Sequence, residues 1–329
     1  MHSGIRGFPN RDDALAYFDS AYLDRSSPRR PTQRRTTMLT SLREKFSARF
    51  RAIEQRCSRM QEALGRIESR QLSDLKPHEI QSAEFSVYSQ WGEDGILQHL
   101  LRYVPISNKV FVEFGVENYL EANTRFLMVK DKWTGLVMDG SEVNIDYIKQ
   151  DDISWRFNLK AQQAFITREN INDLIRANGI SGEIGLLSID IDGNDYWVWE
   201  AIDVVAPTIV IVEYNHRFGS ERAVAVPYRA DFQRSKAHHS YIYYGASLAA
   251  LCRLGNRKGY AFVGCTTAGN DAFFIRRELK PDAIPELTPA AGFAQGKFRE
   301  SRDEKGRLAF LDEAQEAAIL AKLAVVEIS

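Results

Sequence analysis

From Phe46 onward the apolar-leaning positions Phe46, Phe50, Ile53, Cys57, Met60, Leu64 and Ile67 recur at alternating steps of four and three, with Arg, Glu and Gln filling most of the positions between. This spacing predicts a helix carrying a heptad seam. A single apolar stripe on an otherwise polar helix cannot bury itself, so it pairs with another chain or lies on the main domain. A homo-oligomer formed through residues 38–76 is the expectation, and Pro77 closes the segment.

After Pro77 the period switches between that of helices and that of buried strands. A helix is predicted over Glu93 to Tyr103, then a strand over Lys109 to Phe114. Helix Asn123 to Lys130 leads to strand Gly135 to Asp139, and Ser141 is placed to cap a helix over Glu142 to Gln150. A weak strand near Asn158 to Ala161 precedes a helix over Arg168 to Asn178, with Thr167 as its N-cap and Gly179 as its terminator. Strand Ile184 to Asp192, a short helix over Tyr196 to Ile202 and strand Thr208 to Tyr214 follow. The continuous β-branched runs among these are those of parallel strands covered on both faces. Helix Ser247 to Leu254 then leads to "YAFVGC" and "DAFFIR", two strands joined by a short loop containing Gly and Asn, which predict an antiparallel hairpin.

The alternation predicts an α/β fold: a doubly wound, mostly parallel, seven-stranded Rossmann-like sheet ending in an antiparallel hairpin, with an N-terminal helical extension. Four segments are expected: a flexible basic stretch over 1–37, a helical segment over 38–76, the Rossmann-like domain over 77–280, and a tail over 281–329 with a helix near Leu311 to Leu323.

Composition narrows the function. Forty-three Lys and Arg against 44 Asp and Glu give a formal net charge of -1, so no overall field favours nucleic acid or an anionic membrane. The run "RSSPRRPTQRR" is basic and rich in Pro, Ser and Thr, and reads as a solvated linker. The three cysteines, Cys57, Cys252 and Cys265, lack both metal-site and disulfide-framework spacing. No stretch approaches the roughly 20 apolar residues of a membrane helix, and the first residues lack a signal-peptide core. A cytoplasmic protein without membrane insertion is expected.

Candidate chemistry sits at the carboxyl ends of the strands, where open α/β sheets bind ligands. Those ends carry Glu113 and Gly115, then Asp139, then Asp190 and Asp192, then Glu213, Asn215 and His216. A dinucleotide-binding turn would read G-x-G-x-x-G, but "VFVEFGVEN" contains Gly115 alone, which argues against a nicotinamide oxidoreductase. Crowded carboxylates repel one another and suit a cation or sugar hydroxyls better than a phosphate. S-adenosylmethionine (SAM) meets that requirement: its ribose diol wants a carboxylate, its sulfonium and ammonium want negative charge, and it has no pyrophosphate. Asp139, at the end of an apolar strand, is placed to bind the ribose.

The runs "VFVEFGVE", "GLVMDGS", "LLSIDIDGNDYWVWEAI" and "PTIVIVEYN", with the final hairpin, resemble class I SAM-dependent methyltransferases of the FkbM type over about Ser86 to Leu279. The pattern "DIDGND" carries the more specific part of the likeness. The resemblance implies O-methylation of a hydroxyl on a sugar, glycan or related small molecule. Glu113, Gly115, Asn118, Asp139 and Asp190 correspond to the donor site, and Asp192, Glu213 and His216 are the catalytic candidates, with His216 as the best-placed base. Asp190, Asp192 and Glu213 also offer the hard oxygens that Mg²⁺ takes; this reading is possible but not favoured, and no metal ligand is assigned. The alternative function is a non-catalytic binding or assembly subunit acting through its coiled coil.

Overall fold

The structure, a computed structural model, describes residues 33–329; the basic run over residues 25–35 lies outside them up to residue 32. The chain divides into two units, Met1–Gln61 and Glu62–Ser329. What is described of the first is helical and belongs to α1 (Gln33–Gln71).

The second unit continues with α2 (Glu93–Leu100), β1 (Val110–Phe114), α3 (Arg125–Asp131), β2 (Thr134–Asp139), α4 (Glu142–Gln150), α5 (Asp152–Arg156), β3 (Leu159–Gln163), α6 (Ile171–Ala177), β4 (Gly182–Ile189), α7 (Asp195–Ala201) and β5 (Val205–Glu213). Its later part comprises β6 (Val224–Ala225), α8 (Arg234–Ala237), α9 (Leu248–Arg257), β7 (Tyr260–Cys265), β8 (Asp271–Arg276), α10 (Pro289–Gly292), α11 (Glu313–Leu320) and β9 (Val326–Glu327). The first five strands, β8 and β7 form one seven-stranded sheet in the order β3-β2-β1-β4-β5-β8-β7. Strands β1 to β5 pair in parallel, whereas β8 runs antiparallel to both β5 and β7. The expected Rossmann-like sheet with its closing hairpin is the fold found.

Successive residues of the central strands feed two separate cores. Val112, Phe114, Val210 and Val212 pack on one face, while Phe111, Ile209 and Ile211 pack on the other. This double burial is why these strands read as unbroken apolar runs rather than alternating ones. The order of strands reverses between β1 and β4, which places their carboxyl ends at the switch point of the sheet.

Some element limits differ from expectation, each for a local reason. Ser141 and Ser247 accept from Asn144 N and Ala250 N and cap α4 and α9. Thr167 lies one turn ahead of α6, which starts at Ile171: Thr167 Oγ1 accepts from Asn170 N and Asn170 Oδ1 accepts from Thr167 N, a reciprocal pair like that of a capping box. The helix α5 was not anticipated; Asp151 starts it by accepting from Ile153 N at 2.8 Å. Strand β4 stops at Ile189 rather than Asp192, because Asp192 takes a positive φ of 55° and the Asp195 carboxylate accepts from Ile191 N and Gly193 N, each at 2.8 Å. Among the described residues no helix is long and apolar enough to cross a membrane.

Candidate active site

The loop after β1 is shaped by carboxylates more than by glycines. Gly115 has φ of +80°, and a Cβ there would lie 1.4 Å from the Asp190 carbonyl oxygen, so this glycine is required by the close approach of β1 and β4. Glu113 is buried and points back at the loop. Its Oε1 accepts from Asn123 N at 2.8 Å, while Oε2 accepts from Thr124 N at 3.2 Å and Thr124 Oγ1 at 2.5 Å. Burial pushes this carboxyl up to about 7. Glu113 therefore holds the start of α3 in place, with both oxygens committed to the loop.

Asp139 brackets the same loop from β2. Its Oδ2 accepts from Glu117 N at 2.9 Å, and its Oδ1 from Ser141 N at 2.8 Å and Asn144 Nδ2 at 3.1 Å. The carboxylate is half-buried at the rim, and these bonds fix its orientation. Asn118 uses its Oδ1 to accept from Leu120 N at 3.1 Å, which shapes the tip of the loop.

Asp190, Asp192 and Glu213 converge across β4 and β5. One carboxylate oxygen from each lies within 4.8 Å of the others. Glu213 is 6% exposed, and its Oε2 has no hydrogen-bond partner among the described residues. Burial, followed by the charges of Asp190, Asp192 and Asp195, holds the Glu213 carboxyl well above the usual range. Asp195 is itself pushed up to about 7, by burial and then by Asp190. Deeper still, Asp271 at the start of β8 is raised by burial and by neighbouring Glu93, which is pushed up to about 7 mainly by burial. This end of the sheet is thus crowded with carboxyl groups whose charged forms are disfavoured by burial and by one another.

Among the described residues, Arg234 supplies a cation to this end of the sheet. Arg234 donates from Nη1 to Asp192 Oδ1 at 2.6 Å, from Nε to the Tyr241 carbonyl at 2.6 Å and from Nη2 to Glu300 Oε2 at 3.4 Å. Its guanidinium also lies 4.1 Å from the centre of the Tyr244 ring. Arg234 and Glu93 were both missed in the sequence. The signal that could have found Glu93 is its position in "GED" at the start of an apolar helix; Arg234 opens the short polar helix α8, in a stretch of sequence with nothing local to mark it.

His216, expected as the best-placed base, lies buried just past the end of β5. It is 3% exposed, its Nδ1 lies 3.1 Å from Gln295 Nε2, and a Cβ on Gly296 would fall 2.3 Å from its Cδ2. Burial, and then the charge of Arg217, pushes it down to about 3. Residues 293–301 thus form a strap over this end of the sheet. Tyr214 Oη donates to the Ala294 carbonyl at 2.6 Å, Lys297 N donates to the Ala268 carbonyl, and Phe298 stacks on Trp91. The aromatic run before α9 serves packing in part: Tyr244 is buried beneath Arg234, and Tyr243 Oη donates to the Ala324 carbonyl. Asn215, although at a strand end, spends its amide donors on the carbonyls of Ile242 and Tyr244.

Neither a protein-family model nor a curated protein sequence matches the chain. Solved structures do align with it. A SAM-dependent methyltransferase from Aquifex aeolicus aligns with 11% identity over 61% of this chain and 97% of that one, with a TM-score of 0.33. A methyltransferase of the same description from Clostridium acetobutylicum ATCC 824 aligns with 9% identity over 59% and 93%, at 0.36. The O-methyltransferase from Bacillus cereus, in complex with SAH, aligns with 12% identity over 80% and 96%, at 0.33. At these TM-scores the alignments add nothing to the site, whose residues rest on the geometry of this chain alone.

Proposed function

We propose that this chain is a SAM-dependent methyltransferase of the FkbM type, acting on a hydroxyl of a sugar, glycan or related small molecule. The observation that carries the reading is the buried Glu213 carboxylate, with one oxygen unpartnered beside Asp190 and Asp192 at the switch point of the sheet. A buried carboxylate in such company calls for a positive ligand. An anionic nucleotide would aggravate the repulsion, whereas a sulfonium and an ammonium relieve it.

The residues fit such a donor. Asp139 is oriented for a ribose diol, and the loop from Gly115 to Asn118 presents backbone at the edge where that ribose would lie. When bound, the donor supplies a methyl carbon on a positively charged sulfur. The chain then has to align the acceptor oxygen and accept its proton. Glu213 suits the second task once the positive charge of a donor offsets its acidic neighbours and favours its ionised form, and Arg234 keeps Asp192 fixed beside it. Trp91, partly exposed and stacked on Phe298, offers an aromatic face for a sugar ring next to Thr267 and Lys297.

Calorimetry with SAM and S-adenosylhomocysteine tests this directly. Wild-type protein should bind both, and Glu213→Gln should weaken SAM about tenfold, roughly 1.4 kcal/mol, while affecting the uncharged thioether less. Absence of binding to either compound by folded protein would favour the non-catalytic assembly reading. Mass spectrometry of candidate glycans incubated with enzyme and SAM then identifies the acceptor by its added methyl group.

A further inference from the structure

The apolar stripe of α1 is not absorbed by the methyl-transfer reading. Phe46, Phe50, Ile53 and Met60 are between 56% and 65% exposed, and Cys57 between them is exposed as well. Farther along, Leu64 and Ile67 keep the same spacing and are exposed too. A regular row of large apolar residues facing water is strongly disfavoured unless something covers it.

We infer that a second copy of this chain covers it, as a parallel, in-register coiled coil. Steps of four and three make Phe50, Cys57 and Leu64 the first core positions of successive heptads, and Phe46, Ile53, Met60 and Ile67 the second. The residues flanking this seam differ in sign from side to side. Arg49 and Arg56 precede first core positions, whereas Glu54 and Glu68 follow second ones. In a parallel, in-register pair each residue of the first flank meets the residue five positions later in the other copy. That sets Arg49 against Glu54 of the second copy and Arg56 against Gln61. An antiparallel pair would instead bring the arginine flanks together and the glutamate flanks together. Charge complementarity therefore selects both the partner and its direction.

The register has a chemical consequence at Cys57. First core positions in a parallel pair lie opposite themselves, so the two Cys57 thiols face each other across the seam, within the reach of a disulfide. Oxidation would remove two protons and two electrons from the pair and pass them to an added oxidant.

The test uses the full-length protein. Light scattering should give the mass of a dimer, and Phe50→Glu should weaken the dimer at least 100-fold while leaving the thermal transition of the sheet unchanged. Copper phenanthroline with molecular oxygen as the oxidant should yield a disulfide-linked dimer that Cys57→Ser abolishes. In the Cys57→Ser background, Ile53→Cys and Met60→Cys should each restore the crosslink, because an antiparallel pair can set at most one of these positions opposite its own copy. A monomeric mass for the wild-type protein, or a crosslink at only one of the two replacement positions, would overturn the proposal.

Discussion

Buried carboxyl groups give single residues of this protein an influence on its stability with pH. Glu113, Glu93 and Asp195 are each held up to about 7, first of all by burial. Between the ordinary carboxylate range and that value the folded chain carries more protons than the unfolded one. Their contribution is thus complete below about pH 4 and is lost as pH rises through about 7. For Glu113 a shift of this size corresponds to at most about 3 kcal/mol. Urea titrations at pH 5, 6.5 and 8 should show stability falling across the interval, and Glu113→Gln should be less stable at pH 5 yet flatter in its response; an unaltered slope would show that Glu113 is not the titrating group. Arg234 carries a second expectation. Its guanidinium already supplies positive charge to Asp192, so methyl transfer should persist in EDTA. Abolition by the chelator with rescue by Mg²⁺ or Mn²⁺ would instead assign a cation to Asp190, Asp192 and Glu213. How readable these residues were depended on their neighbours in the chain. Glu213 ends an apolar strand and could be placed in the sequence, but the Arg234–Asp192 contact joins residues 42 apart and left no local trace. The burial of His216 likewise depends on Gln295 and Gly296, far downstream.

At the level of elements, the loop between β1 and α3 is tied by Glu113 and Asp139, whereas dinucleotide-binding loops use glycine dihedrals. Asp139→Ala would strand the amides of Glu117 and Ser141 and should weaken SAM binding by about 1 to 3 kcal/mol, with the sheet still formed by circular dichroism. Donor affinity equal to wild type in that folded variant would exclude Asp139 from the site. Apart from the polar β3, which was only weakly marked, the strands of the main sheet were legible because each is an apolar run bounded by turn residues. The caps at Ser141 and Ser247 were legible because a hydroxyl immediately before a helical period has one obvious use. The strap over residues 293–301 was not, since irregular backbone has no period to read. It is positioned by individual contacts, such as that between Tyr214 and the Ala294 carbonyl.

For the whole molecule, a near-zero net charge conceals the concentration of acids at one edge of the sheet, so composition could not reveal the candidate site. The division at Gln61 bears on which truncation isolates the sheet. Leu72 is buried, and Gly65 lies against Val87 and Phe126, so residues 62–76 belong with the second unit. A chain starting at Glu62 should keep the thermal transition and the donor affinity of the full-length protein but run as a monomer in light scattering. Removal of residues 1–76 should lower the transition as well. The strap and the pairing of β6 with β9 bear on synthesis. All seven strands of the main sheet are translated before residue 277, whereas residues 293–301 and Val326–Glu327 emerge later. A nascent chain can therefore complete its sheet at the ribosome while His216 and the inner edge of β6 are still open to water, and the covering layer closes only once residues 293–301 and Val326–Glu327 have themselves left the exit tunnel.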